Sequence, residues 1–158
     1  MGRTLAIDFG ERRIGLAISD PTATVAQPLP ALVRRRGKRP PVKAILDVMS
    51  EYDVECAVVG LPLSLDGDDT EWTAGVRDFA ARLAERAAID VFLIDERMTS
   101  VAAERAVRSL GLPRAQRERK DRIDTAAAML ILQAFLDRTR GGIEIERAGH
   151  GTEGDHAH

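Results

Sequence analysis

Apolar residues alternate with small or polar ones at the start of the chain. Leu5, Ile7 and Phe9 are interleaved with Ala6 and Asp8, and Ile14-Gly15-Leu16-Ala17-Ile18 follows the polar Gly10-Glu11-Arg12-Arg13 turn. A period of two broken by a short polar turn predicts a β-hairpin. A third extended segment is expected from Thr24 to Arg35, where Pro28 and Pro30 remove ladder donors and restrict it to an edge or irregular strand. From Val42 the period changes: Val42, Ile45, Leu46 and Met49 have helical spacing behind Pro40 and Pro41. Val54 to Val59 reads as a short strand ending at Gly60, and Val76, Phe79, Ala80 and Leu83 mark a second helix. Residues 91–94 form the next strand. Thr99 or Ser100 can cap a helix ending near Gly111, and a last helix is expected from Asp121 to Arg138.

The resulting order is β-β-β-α-β-α-β-α. Antiparallel strands followed by β-α alternation give an α/β fold with a mixed sheet and helices on its faces. Residues 141–158 are Gly-rich and aperiodic, which predicts a disordered tail behind one domain of residues 1–140.

Composition narrows the chemistry. The chain has 158 residues and 44% hydrophobic content, enough for one core without disulfide or metal staples. All three histidines (His150, His156, His158) fall in the tail, and Cys56 is the only cysteine. A Ser-His-Asp or Cys-His set in the body is excluded, as is a Cys/His zinc site. A single cysteine fits a reducing compartment. The start has no long apolar stretch, and no 18-residue apolar run occurs, so a cytoplasmic protein without a membrane partner is expected. Chemistry in the body rests on carboxylates, Arg and Lys, hydroxyls, backbone donors or bound metal.

Carboxylates stand at three element ends. Asp8 lies at the end of the first strand, and Asp95-Glu96 at the end of the strand 91–94, where open α/β sheets place their ligands. Adjacent strand residues point to opposite faces, so at most one of Asp95 and Glu96 joins Asp8, and parity alone does not choose. On the last helix Asp124, Ala128, Ile131 and Phe135 share one stripe, so Asp124 heads an otherwise apolar face; Asp121 lies one turn earlier. Each acid also has a structural reading, as a helix cap, a turn initiator or a partner of Arg97. Taken together they suit hard Mg2+ or Mn2+, which take oxygen ligands and can drive phosphodiester displacement.

The net charge is only −2, yet charge is local. Arg34, Arg35, Arg36, Lys38, Arg39 and Lys43 form one basic run, and Arg114, Arg117, Arg119, Lys120 and Arg122 a second, just before Asp124. Such runs bind phosphates along a nucleic acid or simply sit in solvated loops. Trp72 and Tyr52 are single aromatics at helical positions, where packing is expected. The Asp8-Phe9-Gly10 opening also resembles the phosphate-binding hairpin of the actin, sugar-kinase and heat-shock ATPase superfamily. Those ATPases hold nucleotide between two such domains, and this chain supplies one.

The stronger resemblance rests on strings in order: Ala6-Ile7-Asp8-Phe9-Gly10 through Arg13-Ile14-Gly15-Leu16-Ala17-Ile18-Ser19-Asp20, Val58-Val59-Gly60-Leu61-Pro62 with Asp66-Gly67, Asp95-Glu96-Arg97-Met98-Thr99, and Ile123-Asp124-Thr125-Ala126-Ala127-Ala128-Met129-Leu130. They cover residues 3 to about 136 and resemble the YqgF/RuvX-type RNase H-like proteins, a family described as Holliday junction resolvases and pre-16S rRNA nucleases. The resemblance implies an RNase H-like mixed five-stranded sheet and a catalytic, metal-binding set of Asp8, Glu96 and Asp124 with Mg2+ or Mn2+. Asp121 would be an auxiliary ligand, by analogy with an acid pair in RuvC-type resolvases. Arg97 and Thr99 would support the site or bind backbone phosphate, alongside Arg13, Arg34, Arg35, Arg36, Arg119, Lys120 and Arg122. Three functions follow: a nuclease trimming the 5′ end of the 16S rRNA precursor, a resolvase of branched DNA acting as a two-fold homodimer, or a non-catalytic RNA-binding module in ribosome assembly.

Overall fold

The computed structural model describes the backbone of residues 2–34, 39–98 and 117–149, and the side chains of these apart from 98 and 117–125. Among the described residues six strands and three helices follow one another: β1 (Arg3–Phe9), β2 (Arg13–Ser19), β3 (Ala26–Val33), α1 (Val42–Glu51), β4 (Val54–Leu61), α2 (Glu71–Ala87), β5 (Asp90–Asp95), a 3-10 turn (Glu96–Met98), α3 (Arg117–Arg140) and β6 (Glu146–Arg147). The sheet order is β3-β2-β1-β4-β5-β6. β1, β2 and β3 pair antiparallel, β1, β4 and β5 run parallel, and β6 closes the far edge antiparallel.

Period-two alternation sorts the strand residues between two cores. Leu5, Ile7 and Phe9 of β1, with Ile14 and Leu16 of β2, pack under α1 and α2 against Ile45, Phe79 and Leu83. Ala6, Ala17, Val58 and Ile94 face the other way, against Ala127, Ala128, Ile131, Leu132 and Phe135 of α3. β1 and β2 are buried on both faces, which is why they read as nearly continuous apolar runs. β3 takes the outer edge, with Pro28 opposite Ala17, where a missing N–H costs no inner ladder bond.

Helix ends follow local chemistry. The Thr70 hydroxyl accepts from the Thr73 N–H at 3.1 Å and the Thr73 hydroxyl accepts from the Thr70 N–H at 3.0 Å, a reciprocal cap on α2. Thr73 also donates to the Pro62 carbonyl at 2.5 Å, fixing α2 to the end of β4. α3 begins at Arg117, earlier than the expected Asp121, because its first turn is rich in good helix formers but lacks apolar periodicity. The helix expected behind Thr99 lies outside the described residues.

One expectation is corrected at the C-terminal end. The sheet has six strands among the described residues, not five, and the sixth comes from the segment after residue 140. Arg147 pairs with Phe92 and Glu146 with Leu93, while Ala148 is 3% exposed and donates its N–H to the Val91 carbonyl at 2.7 Å. Arg77 of α2 pins the segment by reaching Glu146 at 2.7 Å, and the Arg147 guanidinium lies over the Phe92 ring. Main-chain pairing and two charged contacts hold a stretch too polar and too short for a periodicity signal.

Candidate functional site

Asp8 is the penultimate residue of β1 and shares the parity of Ala6, so it points to the α3 face. Its cross-strand partner is Gly15, which contributes no side chain, and Asp8 is 2% exposed. The turn that follows is tight: a Cβ on Gly10 would lie 2.5 Å from the Arg13 carbonyl oxygen, the atom to which the Gly10 N–H donates at 3.0 Å. That close approach accounts for the glycine in the Asp8-Phe9-Gly10 string.

Glu96 opens the 3-10 turn at the end of β5 and is 4% exposed. Ile94, two residues earlier, belongs to the α3 core. The Glu96 side chain lies against Gly60 of β4 and beside Ile131 of α3, since a Cβ built on Gly60 would stand 2.9 Å from Glu96 Oε1 and 2.6 Å from Ile131 Cδ1. Asp8 and Glu96 therefore occupy the same face of the sheet, on strands separated by β4 alone.

Asp95 has a different task. Its Oδ1 accepts the Arg97 N–H at 2.9 Å, and its Oδ2 accepts from Arg97 Nη2 at 2.7 Å. Chiefly through those side-chain bonds, Arg97 holds the Asp95 carboxyl below its ordinary range. Arg97 also donates from Nη1 to the Leu65 carbonyl at 3.1 Å and abuts Gly67, whose φ of +87° suits only glycine in this turn. The pair thus ties the loop after β4 to the end of β5. Arg97, expected to support the site or to meet backbone phosphate, is engaged in holding that loop.

Arg34 is likewise drawn into the fold. Its Nη1 donates to the Gly10 carbonyl at 2.8 Å, its guanidinium lies 4.6 Å from the Phe9 ring centroid, and its Nε is buried with no hydrogen-bond partner among the described residues. It locks the β1–β2 turn from above. Arg13 starts β2 beside that turn and is half-buried. Arg35, Arg36 and Thr99 lie outside the described residues. Asp121, Asp124, Arg119, Lys120 and Arg122 fall on α3, where the backbone is described and their side chains are not.

Ala128, Ile131 and Phe135, the residues predicted to share a stripe with Asp124, are all buried under the sheet. Among the described residues no group of three metal-ligating side chains occurs, and Asp8 and Glu96 lie on one face of the sheet, on either side of β4. Gly60 closes a β-branched run, a sequence signal of close approach rather than of chemistry. Trp72 stacks on Phe9 at 5.5 Å, the packing role expected of it. No described helix is long and apolar enough to cross a membrane.

Comparison with known proteins places this arrangement. The chain is 45% identical over 145 residues to the "Putative pre-16S rRNA nuclease" of Koribacter versatilis, covering 92% of each chain. It is 44% identical over 139 residues to the protein of the same name from Roseiflexus sp., covering 88% of this chain and 96% of that one. Among solved structures, Thermus thermophilus RuvC in complex with a Holliday junction substrate superposes with a TM-score of 0.54 at 16% identity, over 92% of this chain and 99% of that one. That likeness shows a shared RNase H-like fold. The model of the RuvX family, described as Holliday junction resolvase, matches residues 2–138, and the chain belongs to that family.

Proposed function

We propose that the chain is a metal-dependent nuclease that hydrolyses phosphodiester bonds, with the 5′ leader of the 16S rRNA precursor as its substrate in the cytoplasm. One observation carries the reading: the carboxylates of Asp8 and Glu96 are both nearly fully buried on the α3 face, on either side of β4. Two like charges in a low-dielectric interior repel, and a shared cation offsets both the repulsion and the desolvation. The donor set fits Mg2+ or Mn2+, hard ions that take oxygen ligands and need neither His nor Cys.

Asp8 and Glu96 would hold the metal, joined by Asp124. Counting one helical turn back from buried Ala128 carries α3 to position 124 on the stripe that faces the sheet. Asp121, a further turn fraction away, is the auxiliary ligand of this reading. A bound divalent ion supplies charge neutralisation at the phosphate and a lowered water pKa. The protein's own groups do the rest. Asp8 and Glu96, fixed by strand ends and by the α3 packing, would hold the cation through their carboxylates. Arg13, Arg35, Arg36, Arg119, Lys120 and Arg122 meet phosphates along the substrate and orient it, without reading its sequence.

The test is parallel incubation of wild type and Asp8→Asn with labelled leader RNA, a four-way DNA junction and a linear duplex, in Mn2+ or EDTA. Wild type should cut the leader only in Mn2+, and Asp8→Asn should fold and cut nothing. The family description supports a second reading, resolution of branched DNA by a two-fold dimer. Cleavage of the junction with the leader left intact would transfer the assignment to it. Salt-sensitive RNA binding with no metal-dependent product would leave a binding module in place of an enzyme.

A further inference from the structure

Gly60 stands one residue before the end of β4, between the strands that carry Asp8 and Glu96. Nothing in its backbone requires glycine, since it is absent from the positive-φ glycines of the chain. What requires it is space on the α3 side. An added Cβ would meet Glu96 Oε1 at 2.9 Å, Glu96 Cγ at 3.2 Å and Ile131 Cδ1 at 2.6 Å. The Glu96 side chain therefore crosses from β5 onto the bare Cα of β4, which brings its carboxylate about one strand spacing, ~4.8 Å, nearer to β1 than its own strand lies. The two nearest atoms, Ile131 Cδ1 and Glu96 Oε1, are the ends of flexible side chains, so the fold can absorb a methyl group there by moving them. The displaced groups would then be Ile131 Cδ1 and the Glu96 carboxylate.

We propose that Gly60 is a positioning residue: its missing side chain is the seat that lets Glu96 reach across β4 towards Asp8. The proposal rests on the reading of Asp8 and Glu96 as metal ligands. It treats the glycine as part of the ligand geometry and not as a packing convenience.

Ile131→Val separates the two roles, because it removes Cδ1 and so clears the helix side of the clash while leaving Glu96 in the way. The four proteins to compare with wild type are Gly60→Ala, Ile131→Val, the double variant and Glu96→Gln, each examined by thermal unfolding, by calorimetric Mn2+ titration without nucleic acid, and by cleavage kinetics. Ile131→Val should behave close to wild type throughout. The double variant should melt near Ile131→Val yet bind Mn2+ about 10- to 100-fold more weakly, the range typical for disturbed support of a metal ligand. Its kcat should fall in parallel, with KM and RNA affinity in EDTA unchanged. A double variant with wild-type Mn2+ affinity and kcat, or one that cannot fold, would assign Gly60 to packing and overturn the proposal. Glu96→Gln tells the two failures apart. If it keeps Mn2+ binding and cleavage, the ligand reading itself falls and takes Gly60 with it. If it loses both while the double variant keeps both, only the role of Gly60 is removed.

Discussion

The two faces of the central strands are built from unlike materials. Under α1 and α2 the sheet meets rings and branched chains: Phe9 stacks on Phe79 with centroids 4.4 Å apart, among Leu5, Ile7, Leu16 and Leu83. Under α3 the same strands present Ala6, Ala17, Val58 and Gly60, and the helix answers with Ala127 and Ala128 before its larger Ile131, Leu132 and Phe135. Large side chains bury apolar area on both faces. On the α3 side the small strand residues let the helix lie close to the sheet, on the face that Asp8 and Glu96 share. Odd and even positions along β1, β4 and β5 sort residues between the aromatic core under α1 and α2 and the face of the proposed centre.

If that division holds, damage to each face should have a separable signature. The largest effect belongs to Asp8→Asn, which should lower metal-dependent cleavage by at least about a thousandfold, the upper scale for losing one group from a preorganised site. Circular dichroism and the melting temperature should stay near wild type, and a collapse of the fold would show that the acid holds the sheet together. Next comes Phe79→Ala on the opposite face. Truncating that 2%-exposed ring should cost about 3–5 kcal/mol of unfolding free energy, read from denaturant midpoints, with cleavage per folded molecule unchanged. Ala17→Leu, which overpacks the thin face under α3, should cost about 1–3 kcal/mol. Unlike Phe79→Ala, it should also depress cleavage, because it lifts the helix from the carboxylates.

The smallest effect lies at the rim, where Arg140 near the end of α3 donates to the Ala23 and Thr24 carbonyls of the β2–β3 loop. In that loop Asp20 accepts from the Thr22 hydroxyl and from the Thr24 and Val25 N–H groups at 2.7 and 2.8 Å. These bonds, the Thr22 hydroxyl first, lower its pKa from 3.8 to about 2. A depressed folded-state pKa means that the loop's stabilisation is complete above the unfolded value near 3.8 and is lost as pH falls through about 2. The Asp20 carboxyl resonance should titrate near 2, and exchange of the Thr24 and Val25 amides should quicken across the same interval while cleavage at neutral pH stays unchanged.

Much of this layout is legible along the chain, and the illegible parts have identifiable causes. The hairpin of Leu5 to Ile18 announces itself because both of its faces are buried and the break between strands is charged. The helical stripe through Ala128, Ile131 and Phe135 is visible for the same reason. The choice between Asp95 and Glu96 is not readable from alternation, because it depends on which helix covers which face and on Arg97 claiming one of the two. Arg34 looks like one more member of a basic run, and only the folded turn brings Gly10 and Phe9 beneath its guanidinium. Glu146 and Arg147 carry no apolar signal, since their place is set by main-chain bonds to β5.

That last pair has a consequence for how the molecule avoids its own kind. A parallel strand at the rim of a sheet, with Phe92 and Leu93 along it, offers a row of free amides and carbonyls to any other extended chain. Glu146 and Arg147 occupy part of that row, and as two charged residues they make a poor template for a further strand. A chain cut at Arg140 would keep every carboxylate of the proposed centre and still lose this guard. The segment thus covers part of an otherwise open sheet edge, and the boundary of the folding unit lies beyond that of the proposed centre.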